Sequence, residues 1–438
     1  MRPAQIVVTA FAAVILVGTF LLMLPIASQD EPADFLLALF IATSANCVTG
    51  LRPVDTALQW TGFGQTVILA LIQIGGLGIM TFTSLVGIAL TRRVGLQARL
   101  ISSAESRTID FDDARRVLVS ILRIVAICEG AIAVLLYFAF VVVHGRDPLR
   151  SIWDAVFHAI SAFNNAGFST FEGNLVDYVG SWWVCLPIAA GIIAGGLGFP
   201  VVVQLRKYGA FGWRRLSMTA KIVLTMTPIL LAVGTITMLV FEWGNAATLG
   251  ELDPGSKFLA AFFQSVQTRT AGFNTVDIGA LDGATLLIFS VLQFIGAGPA
   301  GTAGGIKVTT FLVMAAMLWA IIRGDDEVRL FHKRVPWLLV RRASGIGLIA
   351  FALCGLTTLI LMATTPFTIE QIVVEVTSAW GTVGLSTGIT GQLPPVALVA
   401  LIALMFIGRL GPLTIAASMI NPTRPLPYEF PEERPIIA

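Results

Sequence analysis

The stretch PGSKFLAAFFQSVQTRTAG, residues 254–272, begins with a proline, continues as a mostly apolar run and ends in polar residues and a glycine. A helix of about 13 residues reaches only about 20 Å, which is too short to cross a membrane but suits a re-entrant segment. Proline fits the first turn of such a helix, where its missing N–H group has no partner. The pattern occurs four times, with 18 or 19 residues from proline to glycine: Pro32 to Gly50, Pro148 to Gly167, Pro254 to Gly272 and Pro366 to Gly384.

Long apolar runs separate these short segments. Hydrophobic residues make up 56% of the 438 residues, charged residues make up 12%, and the mean hydropathy is +0.85. This composition indicates a polytopic membrane protein and excludes secreted, disordered and cytosolic proteins. Eight runs are long enough for a membrane-spanning helix of about 20 residues: 5–27, 61–90, 117–143, 181–204, 219–241, 284–322, 343–364 and 395–419.

Basic residues are concentrated in three connections. Segments 91–117, 205–221 and 323–342 hold 6, 5 and 6 of the 28 lysines and arginines, so they are expected to face the cytoplasm. Eight spans then place both termini in the cytoplasm. The net charge of +2 is too balanced for a nucleic-acid partner, which requires a concentrated basic face.

A second glycine signature follows each short segment: QIGGLGIMTF at 73–82, IAGGLGFPVV at 193–202, FIGAGPAGTAGG at 294–305 and FIGRLGPLTI at 406–415. The four marker glycines are 117, 105 and 112 residues apart, close to a quarter of the chain. Such repetition predicts an all-α polytopic membrane protein with four tandem units of span, re-entrant pore helix and span, eight transmembrane helices in all, around one pore. The predicted units are 1–115, 116–217, 218–338 with a broken second helix, and 339–420, followed by a cytoplasmic tail at 421–438.

The marker glycines close polar loops that read CVTGL (47–51), NNAGF (164–168), TAGF (270–273) and TVGL (382–385). Non-helical backbone at membrane depth is tolerated where it is buried in protein or lines a watery cavity, so four equivalent loops are expected to surround one axis. Rings of backbone carbonyls can replace the water of a dehydrated cation, and glycine permits the positive φ values that turn carbonyls inward. The alternative interpretation is that each glycine only completes a tight turn.

The carbonyl interpretation predicts a cation filter, favoured further by the partial negative charge at the C-terminal ends of the four short helices. Its members are three residues from each loop: Val48, Thr49, Gly50, Asn165, Ala166, Gly167, Thr270, Ala271, Gly272, Thr382, Val383 and Gly384.

The motifs TSANCVTGL, SAFNNAGFST, TRTAGFNT and SAWGTVGLSTG, together with GAGPAGTAGGIK, resemble the superfamily of Trk, Ktr and HKT potassium transporters over nearly the whole chain. The start of the first unit and the ending PYEFPEERPIIA resemble the Ktr membrane subunit more than the longer Trk subunit. This resemblance implies a potassium-channel-like fold and potassium uptake across the plasma membrane of a prokaryote. In plant relatives a serine at the first marker glycine is associated with sodium transport, so Gly50 favours potassium.

The resemblance also implies partners and ligands. It implies a homodimer with one pore per subunit and a cytosolic RCK-type regulatory subunit, similar to KtrA, that binds ATP/ADP or NAD. It implies a potassium ion at the filter carbonyls and no covalent cofactor, and it leaves open whether sodium is coupled to uptake. The alternatives are a less selective sodium/potassium permease and a proton-coupled secondary transporter. The spans are nearly free of Asp and Glu, which disfavours proton exchange.

The run 284–322 is too long for one straight helix and holds five glycines and a proline within 296–305. These residues predict a break in the helix beneath the filter. The resemblance implies that this segment is an intramembrane gate, and the alternative is a kink for helix packing. GAGPAG also matches GxGxxG, but no βαβ unit surrounds it, which disfavours a dinucleotide site. The predicted gate residues are Gly296, Gly298, Gly301, Gly304, Gly305, Lys307 and Arg409.

Arg409 lies within an apolar run, where an unpaired charge is unfavourable, so it is expected to face the bundle interior. It is predicted to be a positive barrier beside the gate or a donor to the gate's free carbonyls, and the alternative is an ion pair with Glu375 or another acid. Lys307 is predicted either to cap the broken segment or to extend towards the cytoplasmic side. Arg269 is predicted to brace the third loop.

The remaining reactive residues form no recognisable site. Cys47, Cys128, Cys185 and Cys354 are scattered singly, which predicts neither a disulfide framework nor a zinc site. The three histidines are far apart, and no paired acids or serine with a base lie within the apolar runs. The sequence therefore predicts that the chain is not an enzyme.

Overall fold

The computed structural model describes residues 3–99, 111–209 and 212–411. This part of the chain is mostly helical, and the predicted tail at 421–438 and part of the basic segment 91–117 lie outside it. In the first quarter of the chain, the helices are α1 (Pro3–Leu22), α2 (Phe35–Asn46), α3 (Thr56–Gln59) and α4 (Gly62–Arg99). In the second they are α5 (Phe111–Phe138), which ends in a π-helical turn at Ala139–Val143, α6 (Pro148–Phe163), α7 (Trp182–Leu197) and α8 (Phe199–Tyr208).

The second half of the chain repeats the order of a long helix followed by a short helix, and it also contains a hairpin. Its helices are α9 (Met218–Phe241), α10 (Pro254–Gln267), α11 (Gly283–Phe294), α12 (Val308–Arg323), α13 (Trp337–Thr364), α14 (Ile369–Gly381) and α15 (Pro395–Leu410). A short antiparallel hairpin between α12 and α13 pairs β1 (Arg329–Leu330) with β2 (Lys333–Arg334), with Arg329 opposite Arg334. Neither β1 nor β2 was predicted.

Helices α2, α6, α10 and α14, the short helices, lie within the four proline-to-glycine segments. Side chains at their N-caps, Asp34, Asp147, Asp253 and Thr368, accept hydrogen bonds from N–H groups of the first turn. The Ser256 hydroxyl and N–H both donate to the Asp253 carboxylate and lower its pKa. The proline prediction is right for Pro148 and Pro254. It is wrong for Pro32 and Pro366, because α2 and α14 begin three residues later, directly after their N-cap residues Asp34 and Thr368.

Four described helices are long and apolar enough to cross a membrane: Gln5–Leu22, Leu118–Val143, Met218–Phe241 and Trp337–Thr364. Many of their outward side chains are large and apolar, and Phe20, Val240 and Phe351 are 61%, 66% and 73% exposed. Apolar surface on this scale is typical of contact with lipid, so the chain is a multi-pass membrane protein.

Two predicted spans are not continuous helices. The run 181–204 is bent by 98° where α7 meets α8 at Gly198, whose φ of +87° and following Pro200 end one helix and start the next. Helix α15 ends at Leu410, before Gly411, and the rest of the run 395–419 lies almost wholly outside the described residues. The break in run 284–322 is confirmed, because α11 and α12 are separated by residues 295–307.

Contacts between helices close a ring. Each short helix packs on the preceding long helix, in the pairs α1–α2, α5–α6, α9–α10 and α13–α14. The helix that follows each short helix packs on the short helix of the next quarter, in the pairs α4–α6, α7–α10, α11–α14 and α15–α2. The last pair joins the end of the described chain to its beginning, so the four polar loops are brought to one centre.

Candidate functional site

The four polar loops have the same backbone conformation. The marker glycines have φ values of +90°, +67°, +79° and +93° for Gly50, Gly167, Gly272 and Gly384. The residues two positions earlier also have positive φ, at +55°, +62°, +73° and +49° for Val48, Asn165, Thr270 and Thr382, and the residues between them do not. Because conformations of opposite hand alternate along each loop, successive N–H groups point to one face and the carbonyl oxygens point to the other.

The marker glycines meet around a common centre. Each one lies against the carbonyl oxygen of the residue before the next loop's marker glycine, so closely that a Cβ atom would overlap that oxygen. The pairs are Gly50 with Ala166, Gly167 with Ala271, Gly272 with Val383, and Gly384 with Thr49. We call the four marker glycines the glycine ring. All twelve predicted filter residues lie in its loops and are brought together there.

Each loop folds back on the C-terminal turn of its own short helix. The N–H group before each marker glycine donates to a carbonyl of that turn: Thr49 to Ser44 at 2.7 Å, Ala166 to Ser161 at 2.7 Å, Ala271 to Gln267 at 3.1 Å and Val383 to Ser378 at 2.8 Å. These bonds satisfy carbonyls that a helix end would otherwise leave free. The short helices therefore end at the ring with their C-terminal partial negative charge directed towards it.

Serine side chains that the sequence analysis missed hold three of the loops. Ser44 and Ser378 accept hydrogen bonds from Gly50 N–H at 3.0 Å and Gly384 N–H at 2.9 Å. Ser161 donates to the Phe168 carbonyl at 2.8 Å. These serines all lie six residues before a marker glycine, and this spacing could have identified them. In the third loop the equivalent residue is Val266, and the side chain of the next residue, Gln267, accepts from Phe273 N–H at 3.0 Å.

Two opposite loops have a buried ionisable side chain behind them. His158 lies nine residues before Gly167, and its Nε2 is 2.9 Å from the hydroxyl of Ser169. Glu375 lies nine residues before Gly384 and accepts from Ser386, from Thr387 N–H at 3.2 Å and from Thr390 at 3.0 Å. The equivalent residues of the first and third quarters are the apolar Ile41 and Phe263. His158 and Glu375 are fully buried, and both bond to residues that follow the marker glycines, which holds these two loops in place.

The centre of the ring offers neutral oxygen atoms. In the part of the chain that the structure describes, the hydroxyls of Thr49 and Thr382 are buried without a hydrogen-bond partner. Glu375 is turned away from the centre by the three partners behind its loop. Carbonyl and hydroxyl oxygens without a carboxylate form the type of site that replaces the water of a passing cation without trapping it.

Residues 295–307, the interrupted segment, lie between α7 and the fourth loop. The ends of the segment pair with each other through Gly296 N–H and the Ile306 carbonyl at 2.8 Å. Its middle is bound to the end of α7, because Gly298 N–H donates to the Gly196 carbonyl at 2.8 Å. A Cβ atom at Gly301 would lie 2.9 Å from the Gly195 carbonyl oxygen, and one at Gly305 would lie 3.2 Å from Gly381 Cα. A Cβ atom at Gly304 would overlap Thr382 Oγ1.

Arg409 donates to the carbonyl oxygen of Thr302 in the interrupted segment and to that of Gly75 in α4 at 3.2 Å. The predicted hydrogen bond from Arg409 to a carbonyl of the segment is therefore present. The alternative ion pair with Glu375 is wrong, because the carboxylate of Glu375 is occupied by Ser386, Thr387 and Thr390 and lies behind the fourth loop. Helix α15, which carries Arg409, therefore binds the segment directly.

Two other basic side chains bind the same segment. Lys307 Nζ donates to the Ala303 carbonyl, which is the predicted capping contact. Arg269 donates to the Gly296 carbonyl at 3.4 Å, so it joins the third loop to the start of the interrupted segment. The side-chain amide of Asn165 lies 3.2 Å from the hydroxyls of both Thr270 and Thr302, which links two loops of the ring to the segment.

All four cysteines, which lie in the described residues, are free. No group of three or more His, Cys, Asp or Glu side chains suited to a metal occurs in residues 3–99, 111–209 and 212–411.

The model of one protein family, TrkH, described as a cation transport protein, matches residues 1–424. The chain belongs to the TrkH family of cation transport proteins. This TrkH-family chain is 40% identical over 417 residues to Ktr system potassium uptake protein B of Bacillus subtilis, a match that covers 95% of the chain and 92% of that protein. It is 33% identical over 440 residues to potassium/sodium uptake protein NtpJ of Enterococcus hirae, covering 99% of the chain and 96% of the relative.

A solved structure has the same fold. The crystal structure of the potassium transporter TrkH from Vibrio parahaemolyticus matches 95% of the chain and 84% of its own length, with a TM-score of 0.76 and 19% identity. The relatives are named as transport proteins, which supports a transporter and not an enzyme.

Proposed function

We propose that the chain takes up potassium ions across the plasma membrane through the centre of the glycine ring. The cyclic contact of four loops from four quarters of the chain carries this proposal, because a ring of carbonyl oxygens is the structure that coordinates a dehydrated potassium ion. The name of the Bacillus subtilis relative, a potassium uptake protein, agrees with this substrate. The twelve loop residues would then be a selectivity filter.

The proposed architecture is eight spans in four units around this pore. The four long helices supply the first span of each unit. Helix α4, the bent pair α7–α8, the pair α11–α12 and α15 would supply the second. The basic segments 205–221 and 323–342 would then be cytoplasmic, with both termini on the same side.

The interrupted segment is proposed to be the gate of this pathway. Its contacts with the ring run through Asn165 and Gly304, so a shift of the segment would change the space directly below the loops. Arg409 would hold it in place with charge-assisted hydrogen bonds and would also present a positive charge to a cation leaving the ring.

We propose a homodimer regulated by a cytosolic RCK-type subunit, similar to KtrA, that binds ATP/ADP or NAD. Two of the basic segments meet in the structure, because Trp213 and Phe331 lie with ring centroids 6.3 Å apart. The exposed Arg329, Lys333 and Arg334 of the hairpin extend this basic surface. The Bacillus subtilis relative is named as a member of a Ktr system, which supports a partnership with further components.

A second candidate is a less selective sodium/potassium permease. The name of the Enterococcus hirae relative, a potassium/sodium uptake protein, favours it. Sodium would then pass the ring or accompany potassium.

The test is ion uptake by the full chain in bacterial cells that lack other potassium uptake systems, with and without sodium and with and without a KtrA-type subunit. Growth on low potassium and saturable potassium uptake, increased by the subunit, are expected. Absence of uptake from a chain that reaches the membrane would refute the proposal. Equal uptake of sodium and potassium would favour the second candidate.

A further inference from the structure

A single guanidinium group lies at the mouth of the ring. Arg52 follows Gly50 by two residues, and the residues at the same place in the other loops are the neutral Ser169, Asn274 and Ser386. Arg52 lines a cavity of about 220 Å³ together with Gly50, Gly272, Gly384, Asn274 and Asp277. The residues that line this cavity, the mouth cavity, all come from the marker glycines and the chain that follows them, and none belongs to the interrupted segment. In the proposed topology it is the entrance from outside.

Arg52 is directed at the ring and not at a carboxylate. Its Nη1 donates to the carbonyl oxygen of Gly167, a marker glycine, at 3.2 Å. The nearby Asp55 accepts instead from the N–H groups of Ala57 at 2.8 Å and Gly173 at 3.1 Å. Arg52 forms no ion pair with any residue in the described part of the chain. No carboxylate therefore bonds to Arg52 directly, and the negative charge of Asp55 acts on it only from a longer distance.

We propose that Arg52 is an electrostatic barrier at the mouth of the ring that lowers the affinity of the entering cation. A cation bound to the Gly167 carbonyl must share that oxygen with the guanidinium group and lie near its charge. At a separation of ~5 Å, repulsion between unit charges lowers occupancy about fourfold even in bulk water, and more in a partly buried mouth. Arginine keeps its charge at all physiological pH values, so the barrier is permanent.

Asp277 gives the mouth cavity an opposing charge. Its carboxylate accepts from Gly279 N–H at 2.9 Å, and the residue is exposed at the cavity rim. A cation entering from solution would be attracted by Asp277 and repelled by Arg52. The two residues together are inferred to set the potassium concentration at which uptake is half-maximal. This inference rests on the proposed function, since it concerns entry to the same pore.

The test compares Arg52→Gln, which removes the charge, with Arg52→Lys, which keeps it. The full chain is expressed in the potassium-uptake-deficient cells, and the KM and maximal rate of potassium uptake are measured at several ionic strengths. Arg52→Gln is expected to lower KM by at least about fourfold without a matching change in maximal rate. Arg52→Lys is expected to restore most of the unchanged chain's KM. Added salt should reduce the difference in KM between Arg52→Gln and Arg52→Lys, because it screens the charge.

Two further variants make the result specific. Arg150→Gln removes an exposed arginine that lines a different cavity, and it should leave KM unchanged. Asp277→Asn, which keeps the capping hydrogen bond, should raise KM, and this result tests the inference even if Arg52→Gln does not reach the membrane. An unchanged KM in both Arg52→Gln and Asp277→Asn would overturn the inference. So would a lowered maximal rate and lost ion preference in Arg52→Gln with no fall in KM, because Arg52 would then brace the ring. If the unchanged chain takes up no alkali cation, the proposed function itself has failed.

Discussion

The glycine ring and the interrupted segment are neighbours, but they are held in different ways. The ring is built from four copies of one loop, and its closest contacts are between backbone atoms. The interrupted segment exists once, and side chains of Arg409, Lys307 and Arg269 hold its carbonyl groups. A repeated backbone structure leaves little room for rearrangement, whereas a few side-chain hydrogen bonds can be broken and remade. This difference supports the proposal that the ring selects the ion and the segment moves.

The free energies of the hydrogen bonds that hold the segment are consistent with a fixed ring and a mobile segment. A hydrogen bond to a charged group contributes about 1.5–3 kcal/mol, so releasing the two bonds from Arg409 requires several kcal/mol at most. Typical coupling free energies between sites in a protein are about 1–3 kcal/mol. A regulatory subunit that favours the released segment could therefore shift its population without disturbing the ring.

The largest effect is expected from Gly50→Ser in the ring. A non-glycine residue at φ +90° is strained by about 1–2 kcal/mol, and its Cβ atom would also overlap the Ala166 carbonyl oxygen. The first loop must then shift, which moves carbonyl oxygens of two neighbouring loops. We expect the ratio of potassium to sodium uptake to fall by at least about tenfold, which corresponds to about 1.4 kcal/mol of lost discrimination. Competitive uptake of the two ions in cells measures this ratio.

Gly173→Ser is the matched control for Gly50→Ser. Gly173 also has positive φ, at +65°, but no atom lies within 4 Å of a Cβ built there. It should therefore show the backbone strain alone, as a small loss of thermal stability with normal ion preference. If both variants keep the normal preference at normal expression, the ring is not the selectivity filter.

Much of the ring could be predicted from the sequence, because each loop is marked by a short sequence pattern that occurs four times. The proline-to-glycine spacing identified the short helices and the loops after them. The break at residues 295–307 could also be predicted, since five glycines and a proline cannot form ten residues of stable helix. The bend at Gly198 was missed because a single glycine and Pro200 within an apolar run fit a kinked helix as well as a broken one.

The partners of buried polar side chains could not be predicted in the same way. For Arg409 the sequence cannot decide between the gate's carbonyls and an acid such as Glu375, because both lie more than 30 positions away along the chain. Outside the third quarter, the sequence assigns the second glycine signature no role beyond marking the repeat. In the structure its first glycine receives the end of a short helix: a Cβ atom at Gly75, Gly195 or Gly408 would overlap the carbonyl oxygen of Asn46, Phe163 or Trp380.

A smaller effect than that of Gly50→Ser, and in the opposite direction, is expected from Arg409→Ala. The substitution removes two charge-assisted hydrogen bonds to the Thr302 and Gly75 carbonyls and a positive charge close to the pathway. We expect potassium flux in liposomes to rise by about tenfold and to depend less on the regulatory subunit, because the closed arrangement loses about 1.4 kcal/mol, close to the contribution of one charge-assisted hydrogen bond. Ion preference should stay normal, since the ring is not changed.

Arg409→Lys distinguishes the effect of the positive charge from the effect of the two hydrogen bonds. Lysine keeps the positive charge but cannot reach both carbonyls with a planar fork, so its flux should lie between those of Arg409→Ala and the unchanged chain. Deletion within residues 298–304 should resemble Arg409→Ala. Normal flux and normal regulation in both the deletion and Arg409→Ala would mean that the segment is a packing kink and not a gate.

The smallest effect is expected from Thr302→Val, which tests the connection between the two regions. The Thr302 hydroxyl lies 3.3 Å from the Phe163 carbonyl and 3.2 Å from the Asn165 side chain, while the backbone of Thr302 still binds Arg409. Both side-chain bonds are long, so their loss should weaken the closed segment by about 0.5–1 kcal/mol. Flux without the regulatory subunit should therefore rise about two- to fivefold in liposomes, and Thr302→Ser, which retains the hydroxyl, should reverse the increase. If Thr302→Val instead alters the potassium-to-sodium ratio and leaves regulation normal, Thr302 supports the ring through Asn165, and the separation between a fixed ring and a mobile segment is wrong at this residue.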